Sequence, residues 1–571
     1  MAKKIFGFLL VGAWVLFMGA CTPSYDGPPA DLVIKNAKIV TIDEDNPRAQ
    51  AIAVKGEMIL AVTSDQKIKP YIEEGTTRVI DAGGRLLVPG FNDAHIHFLS
   101  GGSSLMNLDF RYVHDPQEIA RMVKEKVDSS QPGELITGGG WEHETFPDKQ
   151  WPTKEILDEV APDNPVILSR ADGHSVWVNS YVIKMSGITK DTPSPPNGTV
   201  VKDPATGEPT GIFKEGAQRL IRRTSTHQLT PEEREARTEM ALELALEEAR
   251  KTGVTSIQQL NGGYDLFQKF KDEGRLTLRV TFNMALPDVK NEEDWQRLDE
   301  LRRQYPRDND WIRFGYLKIF IDGTLGSGTA LMFEPFVDDP STSGLPMMPY
   351  EEYEKCIVTA DARRFQTGTH AIGDKGNNWV LNAIEKAREL NGAKDIRHRS
   401  EHAQILRLSD IPRFAELGVI ASMQPTHCIT DKRFAEKRIG LERCKGAYAW
   451  QKLLDAGVFI AFGTDWSVEP IDPLEGLYAS VTRKDRAGEE GEGWFPDQKL
   501  SMEKAIELYT HGSAYAEFME SRKGILKEGY LADMVIFNND LMTIPHDQIM
   551  TSKVDMTIVG GKVVYERPIE E

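Results

Sequence analysis

Two histidines one residue apart, His95 and His97, stand near the end of Val88-Pro-Gly-Phe-Asn-Asp-Ala-His-Ile-His-Phe98. The run before them is apolar and strand-like. Side chains alternate along a strand, so both imidazoles face one way while Ile96 faces the other. Two imidazoles on one wall can bind a metal, although an isolated pair serves equally well as buried or surface polarity. Further groups of suitable type fall where later strand-like runs end. Lys318 lies within Ile312–Asp322, a run too apolar to host an ammonium comfortably. Burial lowers a lysine pKa, and the neutral amine can combine with carbon dioxide as an anionic carbamate able to bridge two metal ions. The alternative is a lysine that buries its stem and reaches the rim. His370 opens His-Ala-Ile-Gly-Asp, and Asp465 ends Phe459–Asp465. Within Arg397–Gln404, His398 and His402 share a strand face; His402 is nearer the C-terminal end and is the expected ligand, with His398 structural. His427, after Met423-Gln-Pro-Thr, is a substrate-facing residue or a cap.

Such residues converge only if a repeated element places every strand end on one rim. From Thr230 onward the chain alternates helix and strand. Thr230-Pro-Glu-Glu233 starts a helix with a capping hydroxyl, a first-turn proline and a glutamate three residues after the cap, and Gly253 ends it. Strands are expected over 254–260, 312–321, 367–372, 396–402, 419–423 and 458–463. This repetition predicts a parallel α/β barrel with its chemistry at the C-terminal strand ends. An open doubly wound sheet is disfavoured by the lack of a Gly-rich dinucleotide turn after an early strand. Residues about 100–229 break the rhythm and read as an insertion over the barrel mouth. Short β-branched runs at 31–62 and 524–565 predict one small β-sandwich built from both chain ends. The expected organisation is 1–20 signal peptide, 21–30 linker, 31–90 first part of the sandwich, 91–520 barrel and 521–571 second part of the sandwich.

The 571 residues are 40% hydrophobic and 27% charged, a globular composition. A formal net charge of -19 argues against a nucleic-acid partner, which requires a positive surface. Lys3 and Lys4, an apolar run from Ile5 to Met18, and Gly19-Ala20-Cys21 resemble a bacterial lipoprotein signal, with Cys21 lipidated and the body outside the cytoplasm, in the periplasm or on the outer membrane. An uncleaved anchor is the alternative, but the run is shorter than the ~20 residues that span a bilayer. The remaining Cys356, Cys428 and Cys444 do not suggest a disulfide framework.

NDAHIHF, GWEHETFP, DGHSVWVN, LKIFIDGTLGSGTA, HAIGD, RHRSEHAQ, ASMQPTH, AFGTDWSVEPIDPL and GYLADMVIF occur in that order along nearly the whole mature chain. Together they resemble the amidohydrolase superfamily, in the branch containing N-substituted formamide deformylase and the YtcJ-like hydrolases. Asn92-Asp93-Ala94 departs from the Asp-Gly or Asp-Ser often found before the histidine pair and leaves both histidines in place. The resemblance implies a TIM-like (β/α)8 barrel with a composite β-sandwich. It implies His95, His97, Lys318 (carbamylated), His370, His402 and Asp465 as ligands of one or two divalent ions, expected to be zinc. It also implies hydrolysis of an amide or formamide-like C–N bond, with Asp465 as catalytic base and then acid, and Trp141, His174 and His427 contacting a small-molecule substrate or stabilising the oxyanion. Deamination or cyclic-amide opening on the same core is the in-class alternative, and a non-catalytic lipid-anchored binding protein the alternative from another class. Assembly is left open, a homodimer being one outcome.

Overall fold

The computed structural model describes residues 25–568 except 26, 111–112, 171–174, 196–197, 222–229, 261, 287–288 and 489–490. Eight parallel strands succeed one another in chain order through a single sheet: β1 (Phe91–Ile96), β2 (Val254–Gln259), β3 (Arg279–Ala285), β4 (Ile312–Phe320), β5 (Thr367–Ala371), β6 (Arg399–His402), β7 (Ile420–Met423) and β8 (Ile460–Phe462). Just past β8 the chain is stitched back to β1. Thr464 N donates to the Asp93 carboxylate at 3.0 Å, Asp465 N to the His95 carbonyl at 2.8 Å and His97 N to the Trp466 carbonyl at 2.7 Å. The eight-stranded barrel expected from the sequence is therefore present.

Helices pack between successive strands. Pro231–Thr252, with the Thr230/Glu233 capping box at one end and left-handed Gly253 (φ 81°) at the other, leads into β2. Its Leu242 and Leu246 join Phe267, Leu298, Ile357 and Ile384 from later helices in one core against the strands' outer faces. At about 25 cal/mol per Å² of apolar surface removed from water, this layer is the main source of the barrel's stability. β3 is absent from the strands expected from the sequence, because alternate positions carry Arg279, Thr281 and Asn283, all fully buried, and the run has no continuous apolar character. β6 and β8 begin later than expected, at Arg399 and Ile460, although the His398 and Phe459 carbonyls already accept from Ile420 N at 2.9 Å and Ala421 N at 3.0 Å.

Strands from the two chain ends share sheets. Met534–Phe537 pairs antiparallel with Leu86–Pro89 inside a six-stranded sheet, and a four-stranded sheet from Leu32–Lys35, Ala51–Lys55, Met58–Thr63 and Arg78–Asp81 packs on it through Ile34, Ile52, Leu87, Met534 and Ile558. This β domain is fastened to the barrel by buried Arg279 of β3, whose guanidinium meets the Asp533 carboxylate at 2.7 Å and 3.0 Å. Below the barrel, Glu517 lies 2.7 Å from Lys523 and 3.5 Å from Arg313, all buried. Between β1 and the helix before β2, residues 108–215 form a further six-stranded sheet with its own tryptophan-rich core, Trp141 and Trp177 at its centre.

Candidate metal centre

His95 lies on β1 and His97 directly after it; Lys318 lies on β4, His370 on β5, His402 at the end of β6 and Asp465 just past β8. His427 sits in the first turn of the helix Pro425–Cys444 that follows β7. All seven line one cavity of about 880 Å³ at the C-terminal ends of the strands. The rings cluster: centroids of His95 and His402 are 4.9 Å apart, and those of His370 and His402 4.5 Å. Asp465 is the hub. Its Oδ1 is 3.3 Å from His97 Nε2 and 3.6 Å from His95 Nε2, and its Oδ2 is 4.0 Å from His427 Nε2. Two sets of three donors, His95/His97/Asp465 and His402/His427/Asp465, thus have ligand atoms close enough to close around an ion.

Backbone geometry explains how His402 joins this cluster. On β6, Ser400 points outward, its hydroxyl on Asn377 of the helix Asp374–Asn391 at 2.6 Å. His398 also faces outward, with Thr367 Oγ1 at 2.8 Å from Nδ1 and Asp361 at 3.3 Å from Nε2. Strand alternation alone would send His402 outward with them. Left-handed φ angles of 75° at His402 and 41° at Ala403 break the alternation and turn the imidazole into the cavity. Asp465 has φ 58°, so it too is held in a conformation costly for a non-glycine residue, as is common where function over-determines the backbone.

Burial keeps the rings neutral. It lowers His95 to about 4 and His370 to about 3, and drives His402 well below the ordinary imidazole value; the nearby Lys318 charge adds to the effect in all three. Neutral imidazole is the form that coordinates metals. Burial acts to raise the Asp465 carboxyl, but the facing His95, His97 and His427 rings hold it at about 2, so it is ionised at neutral pH. Burial lowers the Lys318 ammonium to about 8 despite the pull of Glu401 and Asp465. Lys318 Nζ, Asp465 Oδ1 and His427 Nε2 are all buried without a hydrogen-bond partner among the described residues, a costly state that a shared cation would relieve. The donor set of neutral imidazoles and an ionised carboxylate fits a divalent ion of intermediate hardness.

Trp141 does not belong to this cavity. Its indole is fully buried in the core of the inserted sheet, edge-on to Trp151 and Trp177, with Nε1 donating to the Leu168 carbonyl at 2.9 Å. A large apolar ring in a sheet that needed its own core went to that core, and the expected substrate contact is corrected accordingly. His174 and Cys21 lie outside the described residues. The side chains that orient the histidines were not singled out from the sequence. His402 Nδ1 is 2.8 Å from Gln424 Oε1, His370 Nε2 is 3.1 Å from the Gly323 carbonyl, and His95 Nδ1 is 2.5 Å from Glu401 Oε2. Gln424 and Glu401 do stand in the quoted motifs, and a polar residue at an inward strand position was the available signal.

A parallel eight-stranded barrel with a histidine and carboxylate cluster at its C-terminal rim defines a class of barrel hydrolases. The Amidohydrolase family model matches residues 78–565, and the chain belongs to that family. It is 32% identical over 537 residues to YtcJ of Bacillus subtilis (strain 168), covering 93% of this chain and 98% of that one. It is 25% identical over 544 residues to N-substituted formamide deformylase of Arthrobacter pascens, covering 94% and 98%. A crystal structure of a metal-dependent hydrolase from Pyrococcus furiosus superposes with a TM-score of 0.70 at 28% identity, covering 90% of this chain and all of that one.

Proposed function

We propose that this protein is a metal-dependent hydrolase that cleaves the C–N bond of a small amide or formamide-like molecule. The observation that carries the reading is the pair of donor triads sharing Asp465 in one cavity, beside a buried lysine amine with no hydrogen-bond partner among the described residues. A divalent ion held there, zinc in this proposal, would acidify water and polarise a substrate carbonyl. His95, His97, His370, His402 and Asp465 are the proposed ligands, and His427 either completes the second triad or faces the substrate. Lys318 joins them after its neutral amine attacks carbon dioxide: an N–C bond forms, one proton leaves, and a carbamate anion results. Asp465, ionised and within 4.0 Å of three imidazoles, takes the proton from the attacking water and delivers it to the leaving nitrogen. A C–O bond forms, the C–N bond breaks, and the products are a carboxylic acid and an amine. The similarity to the formamide deformylase supports a formamide-like substrate.

The sequence of residues 1–21 supports placing the enzyme outside the cytoplasm, anchored by lipid on Cys21. Metal analysis of purified protein beside a hydrolysis screen tests the function. Amine and acid release from formamides supports the proposal. Ammonia release from aminated heterocycles, or ring opening of hydantoins without formamide cleavage, would replace the substrate class. Stoichiometric metal with no turnover on any of these would favour a binding protein.

A further inference from the structure

Beneath the histidine cluster lies a set of buried polar groups that the reaction above does not use. Glu401 on β6 is fully buried and places Oε2 2.5 Å from His95 Nδ1. Its Oε1 lies 2.7 Å from Nε of Arg399, which is also fully buried. Arg399 is tied to its neighbours in turn. Nη2 donates to the Ala94 carbonyl of β1 at 2.7 Å and to the Ser422 hydroxyl of β7 at 2.8 Å, Nη1 donates to Gln258 of β2, and the guanidinium lies 4.4 Å from the ring centre of Tyr316 on β4. Room for the carboxylate comes from β5. A Cβ at Gly368 would fall 2.3 Å from a Tyr316 ring carbon and 2.8 Å from Glu401 Oε1. β1, β2, β4, β5, β6 and β7 therefore all take part in fixing one carboxylate against one imidazole.

An ionised carboxylate can only accept, so the ring nitrogen facing it must carry the proton. Nε2 of His95 is then left with its lone pair in the triad with His97 and Asp465. The opposite tautomer would aim an N–H at the ion. The other two oriented rings have neutral hydrogen-bond partners, Gln424 and the Gly323 carbonyl, with the Asp322 carboxylate 3.7 Å from His370 Nε2, so of the three His95 has a carboxylate at the shortest range. We propose that Glu401, clamped by Arg399, is a positioning residue that fixes His95 as the Nδ1–H tautomer and presents its Nε2 lone pair to the metal centre before any ion arrives. Only the effect on metal affinity rests on the metal-centre reading; the tautomer belongs to the metal-free chain.

The test reads both. Long-range 1H–15N spectra of metal-free, 15N-histidine-labelled protein report each ring's tautomer, with His95 assigned by its loss in His95→Gln. The wild type should show Nδ1–H. Glu401→Gln keeps an acceptor oxygen and should keep the tautomer, but without the charge it should bind zinc about tenfold or more weakly in chelator competition. Glu401→Leu removes the acceptor and should move His95 to Nε2–H or a mixture. Gly368→Ala displaces the carboxylate without removing it and gives a second route should the leucine variant not fold. Nε2–H in the wild type, an unchanged tautomer in Glu401→Leu and Gly368→Ala, or zinc affinity within about twofold of wild type in Glu401→Gln would overturn the proposal. Wild-type protein that shows Nδ1–H yet binds no divalent ion would sink the metal-centre reading and leave the tautomer assignment standing.

Discussion

Replacing Lys318 should move stability and function in opposite directions. The Lys318 side chain lines the cavity from β4, and its ammonium is buried without a hydrogen bond to the described residues, 4.9 Å from the ring centre of Phe320. A pKa lowered from 10.5 to about 8 is equivalent to ~3 kcal/mol disfavouring the charged form. The sign follows from proton counts. Between about 8 and 10.5 the folded chain binds fewer protons here than the unfolded one, so stability rises with pH across that window, and below it the full penalty applies. Lys318→Met keeps most of the stem volume and removes the charge. In metal-free, carbon dioxide-depleted protein it should therefore gain ~3 kcal/mol at about pH 6.5, fading towards pH 10. If the proposed carbamate forms, the same variant should lose at least part of its bound metal and nearly all turnover, because methionine cannot form one. Lys318→Arg should fail alike, since guanidinium stays cationic. Lys318→Ala should regain some metal and rate with added short carboxylic acids, whereas the arginine side chain would block that space. Thermal midpoints of the chelated proteins at both pH values, with metal content and rate under bicarbonate, decide the matter. An arginine variant with wild-type metal and rate would falsify the ligand role; a methionine variant less stable than wild type at the lower pH would refute the burial argument.

His427→Ala distinguishes the two roles open to that ring: as part of the second triad, its loss should lower bound metal, whereas a substrate contact would raise KM with metal content unchanged. Glu517 is held at about 2 by Lys523 and Arg313 against the opposing effect of burial; its contribution, up to ~3 kcal/mol, is present above about pH 4.5 and lost as pH falls towards 2. Glu517→Gln should thus lower the thermal midpoint at pH 6 and flatten its acid decline, and equal acid slopes would count against the pairing. Trp141→Phe should leave kcat/KM within about threefold while Trp141→Ala costs ~3–5 kcal/mol in the inserted unit; a KM defect in the phenylalanine variant would return the indole to the substrate. Mass spectrometry of the mature chain should find a lipidated Cys21 as first residue, and an intact Met1 would rule this out.

How far the sequence could be read depended on whether a residue's surroundings were local. The Thr230/Glu233 cap and Gly253 could be placed because capping involves residues three or four apart. The barrel followed from periodicity, which survives without knowledge of partners. β3 was lost because Arg279 and Thr281 are buried only by virtue of Asp533 and Glu517, more than 230 positions away. Trp141 illustrates the reverse error: its motif suggested a substrate contact, while the inserted sheet's need for a core decided where the ring went.

His402 shows why the centre was legible in its members and not in its geometry. Parity grouped it with His398, which packs outward on Asp361, so alternation on its own points His402 away from the metal. What reverses it is a left-handed turn at two consecutive non-glycine residues, stabilised by contacts from elsewhere: Gln424 on the ring and the Tyr448 N–H bonded to the Gln404 carbonyl at 2.9 Å. Such a turn is intrinsically unfavourable, by roughly 1–3 kcal/mol per residue, and no local propensity announces it. Removing the side-chain support should let the strand relax towards ordinary alternation. Gln424→Leu, which leaves every proposed ligand in place, should therefore lower metal affinity and weaken the His402 contribution specifically. Hydrogen exchange at 402–404 should rise in the same variant, because the turn loses one of its anchors. Unchanged exchange with reduced affinity would locate the effect in the ring's tautomer, and unchanged values of both would show that the backbone holds the turn without Gln424.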